Sequence, residues 1–211
     1  MQPDDFLTEL KAAEPLRDQR VTVDGHEIPA SAKHLMDRLG GETDPDRRWG
    51  LYSLIDFELS LAHEVGFRLT VAEKRLEEFQ DGHAELDLAR AYLAAGDPKA
   101  AIEHGKRAMR RDLSTNGLVN DTAISNVRIA LDAQDVMAVE AAIVELLRHF
   151  RLGKQGDLRL ETDWTPQAEQ LGVDAELIEA VQNLAWVEWV IGKHLIGSGD
   201  ARDDTSEPQP D

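Results

Sequence analysis

The stretch Ala84 to Asp112, AELDLARAYLAAGDPKAAIEHGKRAMRRD, constrains the fold of this chain more than any other. Leu86, Leu88, Ala89, Tyr92 and Leu93 recur at helical spacing, Gly96-Asp97-Pro98 interrupts, and Ala101, Ile102, Ala108 and Met109 resume the period. Gly96 suits the left-handed conformation that ends a helix, Asp97 can cap the next one, and Pro98 fits its first turn. The pattern predicts two antiparallel helices. Ala89, Ala101 and Ala108 then sit where the axes approach closely, and Tyr92 fills the space they leave.

This arrangement resembles a tetratricopeptide repeat over residues 82–113: the Leu88-Ala89-x-x-Tyr92 run, the Gly96-Asp97 turn, Ala101-Ile102 and Ala108 fall at that family's spacing. Three positions depart from the family pattern. Glu85 stands in place of a Trp or another large residue, Gly105 in place of an aromatic, and Leu113 in place of the closing Pro. The resemblance implies an all-α fold of antiparallel hairpins stacked in tetratricopeptide fashion, because such a hairpin cannot bury both faces alone. It also implies protein binding: the first helix of each repeat lines a groove that takes an extended peptide or a partner's terminus. Carried over, the groove positions are His83, Leu86, Asp87, Arg90 and Leu93, with Asp121, Ile124, Ser125 and Arg128 in a second, degenerate pair. Arg90 and Arg128 fall at matching places, where two guanidiniums could clasp a carboxylate.

The flanking sequence partly supplies neighbours. Asp121 to Leu131 and Val136 to Phe150 read as that second pair, around Ala133-Gln134-Asp135. The joint Leu113 to Val119 is longer than a regular array needs. Asp44-Pro45 opens a long helix running to about Val65, with Trp49, Tyr52, Leu54, Ile55, Leu59 and Ala62 on a broad apolar face. Thr70-Val71-Ala72-Glu73 reads as a capping box, predicting a further helix to about Gln80.

Before this helical domain, residues 45–197, lies an N-terminal arm, residues 1–44. It holds a helix from Asp4 to Ala13, a β-hairpin from Val21 to Ile28 around Asp24-Gly25, and a short helix from Ala32 to Leu39. A two-stranded hairpin is marginal by itself, so it must lie on helices or reach another subunit. At the other end, Thr165-Pro166 starts a short helix, and Asp174 caps the last one, AELIEAVQNLAWVEWVIGKHLIG. From Leu184 to Ile196 that helix is apolar nearly all round, so it is either central to the domain or an interface. Trp186, Trp189 and Val190 are the interface candidates. Residues 198–211 read as a disordered acidic tail.

With 41 Asp and Glu against 23 Lys and Arg, the formal net charge is −18. That argues against nucleic acid or an anionic membrane surface and points to a basic partner or a salt-rich habitat. No cysteine is present, which removes disulfides, thiolate nucleophiles and Cys-ligated metals. Neither a signal peptide nor an apolar run of the about 20 residues a membrane helix needs is visible, so a cytoplasmic address is expected.

The seven histidines are scattered without ligand spacing. Asp56, Glu58, His63 and Glu64 share a helix but not a face, so no metal is assigned there. His83 and Asp87 lie four apart, as in an oriented imidazole. No Gly-rich phosphate loop or nucleophile elbow is found, and neither a catalytic residue nor a cofactor is assigned. The expected function is non-catalytic: an adaptor, assembly factor or subunit that binds another protein or peptide. Two alternatives stay open. One is a structural homo-oligomer built through the last helix; the other is a helical enzyme or small-ligand binder with a pocket near His63 or His83.

Overall fold

Five aspartates lay out the helices. In the computed structural model, which describes residues 3–153, 160 and 162–192, each accepts a backbone N–H at a helix start. Asp44 takes that of Arg47 at 3.0 Å, Asp81 that of Ala84 at 2.7 Å, Asp97 that of Ala100 at 3.0 Å, Asp135 that of Ala138 at 3.0 Å and Asp174 that of Glu176 at 2.8 Å. The order of elements is α1 (Pro3–Ala13), a 3-10 turn (Glu14–Leu16), β1 (Arg20–Val23), β2 (His26–Pro29), α2 (Ala30–Gly41), α3 (Pro45–Leu61), α4 (Val65–Phe79), α5 (Gly82–Ala94), α6 (Pro98–Thr115), α7 (Val119–Asp132), α8 (Val136–His149), α9 (Thr165–Leu171) and α10 (Ala175–Ile191). Apart from one antiparallel hairpin the described structure is helical. The residues group into two compact units, Met1–Arg111 and Asp112–Asp211, divided inside α6.

In the first unit the hairpin forms as its Asp-Gly turn dictates. Asp24 and Gly25 both have positive φ, at 49° and 83°, and Val21 pairs with Ile28, Val23 with His26. It lies on helices: Ile28 is fully buried in one core with Ala13, Leu35, Leu54, Ile55 and Leu59. Glu58, also buried, accepts Arg17 through both carboxylate oxygens at 2.7–2.9 Å and Ser31 Oγ at 2.8 Å, tying the 3-10 region and α2 to α3.

Two boundaries differ from the sequence expectation. α3 stops at Leu61, because His63 takes a left-handed conformation (φ 58°) and the N–H groups of His63 and Glu64 bond back to Ser60 and Leu59. α4 therefore begins at Val65, and Thr70 lies within it. The Thr70 hydroxyl points back to the Gly66 carbonyl at 3.4 Å, so the expected capping box is not one.

The same double turn closes α5 and α7. Gly96 (φ 78°) and Asp97 bond to Leu93 and Tyr92; Gln134 (φ 55°) and Asp135 bond to Leu131 and Ala130. In the second unit α8 packs on α7 and α10 packs on α8. Val119, Val127, Leu131, Val139, Ile143 and Leu146 are buried there, with Trp164, Ala168 and Val181. α10 is described to Ile191, and among its residues only Ile178 and Val181 are buried. It is thus not a centrally buried helix over that span. Residues 193–211, including the expected acidic tail, lie outside the described residues.

Candidate functional site

The central hairpin of the sequence appears as α5 and α6, and its polar residues fall into two clusters on opposite sides of α5. The first joins α5 to α3 and α4. Arg75 of α4 is only 2% exposed; its guanidinium lies 4.5 Å from the centre of the Trp49 ring and one terminal nitrogen donates to Asp87 Oδ2. The other oxygen of Asp87 accepts Arg90 Nη1 at 3.0 Å. Nearby, Arg68 grips Asp56 with two bonds of 2.6 and 3.0 Å, and His83 meets Trp49 edge-on at 5.8 Å. Burial pushes the Asp87 carboxyl above its ordinary range, against the opposing pull of Arg75 and Arg90. Arg75 Nε finds no hydrogen-bond partner.

The second cluster joins α5 to α6. Glu85, 1% exposed, accepts Arg111 Nε at 2.8 Å and sits 2.7 Å from His104 Nδ1, while Tyr92 stacks on His104 at 5.2 Å. Arg111 also donates to the Gln80 carbonyl, where α4 ends.

The predicted groove residues do not share one environment. His83, Asp87 and Leu93 are half-buried, Arg90 is exposed, and Leu86, 1% exposed, belongs to the core and presents no surface. Asp87 is held by Arg75 and Arg90, so its four-residue spacing from His83 does not translate into an imidazole–carboxylate hydrogen bond among the bonds described. Arg90 and Arg128 each have a carboxylate partner within their own unit, Asp87 and Asp163, both at 3.0 Å. In α7, Ile124 and Ser125 are buried. Sequence reasoning missed Arg75, whose only signal was a charge among the apolar positions of α4.

Asp56 and Glu58 of α3 are ion-paired to Arg68 and Arg17, and Glu64, in the turn after α3 together with His63, to Arg20 at 2.8 Å. Among the described residues no group of three or more His, Asp or Glu is placed to hold a metal ion. A cleft of about 210 Å³ lies between α2, α3 and α4, with Met36, Leu39, Ile55, Phe67 and Val71 in its lining beside Arg48, Tyr52 and Lys74. Its lining includes neither His63 nor His83. Arg48 there is committed to Glu78 and to the Leu39 and Glu42 carbonyls.

On α10, Trp186 and Trp189 are 64% and 58% exposed, with Val190 half-buried beside them. On another face of the same helix, Glu188 Oε2 is buried without a hydrogen-bond partner. Among the described residues no helix is long and apolar enough to cross a membrane.

Set against protein-family models, curated proteins and solved structures, the chain matches none. The tetratricopeptide resemblance accordingly rests on the residues of α5 and α6 and the turn between them.

Proposed function

We propose that this protein is a non-catalytic protein–protein interaction module, serving as an adaptor, assembly factor or subunit of a larger complex. The observation that supports it most is the pair Trp186 and Trp189 on α10, three residues apart and each more than half exposed. Two indoles held open to water on one helix cost hydration free energy that a partner's surface would recover, and tryptophan is the side chain most enriched where interfaces concentrate their energy. The α5 surface formed by His83, Asp87, Arg90 and Leu93 is the second candidate contact, by its resemblance to a tetratricopeptide groove.

A structural homo-oligomer is the second reading, because two copies of the same tryptophan pair can meet across a twofold axis in a self-complementary contact. Molar mass in solution by light scattering, over a concentration series, separates the two. A monomer of 23.5 kDa throughout removes the homo-oligomer and leaves the tryptophans for another protein. A dimer that reverts to folded monomers in Trp186→Ala supports the homo-oligomer. Trp186→Ala that alters neither molar mass nor the recovery of co-purifying protein removes α10 from the proposal.

A further inference from the structure

We propose that the exposed face of α6 formed by Lys99, Lys106, Arg107 and Arg110 binds a short acidic polypeptide segment. This surface is independent of the α10 face and of the α5 residues discussed above.

The placement follows from the helix period. α6 buries Ala101, Gly105, Ala108 and Met109, and the opposite side carries Lys99, Lys106, Arg107 and Arg110, all exposed. At about 100° per residue these four fall within a stripe roughly 100° wide, and from Lys99 to Arg110 the stripe is about 16 Å long. Only Glu103 interrupts it. Lys106 pairs with Glu103 at 2.9 Å, and the carboxyl is held below its ordinary range by that bond and by the surrounding cationic charge.

Arg107 and Arg110 differ from the rest of the first unit. Every other arginine from Arg17 to Arg111 has a carboxylate within ion-pair distance. Among the described residues Arg107, Arg110 and Lys99 make no ion pair or hydrogen bond. In a chain with 41 acidic side chains and 23 basic ones, internal partners are abundant. Two adjacent-turn guanidiniums left without one form a local surplus of positive charge against a strongly negative background.

The geometry selects the ligand class. Arg107 and Arg110 are one turn apart, about 5–6 Å between β-carbons. That separation suits carboxylates at alternate positions of an extended strand or one turn apart on a helix, each taken bidentately. About five extended residues span the stripe. A long, densely charged polyanion such as nucleic acid would run past it onto the acidic remainder. A short acidic segment stays within the stripe, and the background beyond is screened over about 8 Å at physiological salt. The net charge read from sequence favours basic partners for the molecule as a whole; this face selects the opposite sign locally.

The test is a ¹H–¹⁵N NMR titration of the full chain with a synthetic Glu-rich decapeptide in 50 mM salt. Saturable shifts concentrated on residues 99–111 are expected, with affinity falling at least about tenfold by 300 mM salt. The double variant R107E/R110E should abolish them. R107Q/R110Q, which removes the charges without reversing them, should weaken binding at least fivefold, and R148E, an exposed arginine of α8, should leave it unchanged. Circular dichroism of each variant checks that the fold is kept. Absence of saturable shifts at 50 mM salt overturns the proposal, as does binding that survives R107Q/R110Q or is equally lost in R148E. An oligothymidylate of equal charge that binds more tightly through the same arginines would overturn it in favour of nucleic acid.

Discussion

Tyr52 shows how one buried group reports the packing around it. Its hydroxyl donates to Glu78 at 3.1 Å, and burial, with the Glu78 charge adding to it, pushes its pKa up to about 12. The unfolded value is about 10. A raised pKa gives stability that is full below pH 10 and is lost as pH rises toward 12. Ultraviolet titration should therefore show one of the chain's two tyrosines ionising near 12, coincident with alkaline unfolding, and Tyr52→Phe should remove that step. Glu85 offers a second test. It is fully buried and holds Arg111 and His104, so Glu85→Gln removes the buried charge around which the guanidinium and the imidazole are gathered. Because Arg111 is partly solvated, the loss should be about 2–4 kcal/mol in denaturant unfolding, the lower part of the range for buried pairs. Loss under 1 kcal/mol would mean that the cluster is worth no more than a surface pair.

At the scale of elements, the turns decide what was legible. Asp44, Asp97 and Asp174 announce their helices in the sequence because a capping carboxylate has a fixed offset from the donor it meets. Gly96 announced the α5–α6 turn, since glycine takes positive φ without penalty. His63 adopts that conformation without being glycine, and nothing in its residue type signals it, so the sequence pattern runs α3 on past Leu61 and offers a capping box inside α4. The polar clusters were less legible still. Arg75 and Glu85 look like ordinary surface charges in a sequence this acidic, and only the fold brings each to its partner. The turns carry their own prediction. Gly96→Ala should cost about 1 kcal/mol from crowding at positive φ, while Gln134→Gly, relieving the same crowding, should stabilise by a similar amount in thermal unfolding.

At the scale of the molecule, the net charge of −18 is a destabilising load on the compact state, because like charges brought together by folding repel. Raising salt from 10 to 150 mM shortens the screening length from about 30 Å to 8 Å. Folding should gain on the order of 1 kcal/mol, raising the melting midpoint by about 2–4 °C for a chain of this size. A midpoint that falls with salt would place the ion pairs, rather than the repulsion, in control.

The four tryptophans also divide the molecule for light. Trp49 belongs to the first unit and lies against the Arg75 guanidinium; Trp164, Trp186 and Trp189 belong to the second. Trp164 is 4% exposed, whereas Trp186 and Trp189 stand open to water. The native emission is then a composite of shielded indoles and two red-shifted ones that a neutral quencher such as acrylamide reaches first. A partner settling on α10 would shift the band to the blue and slow the quenching, with no label attached and the first unit's only indole as internal reference.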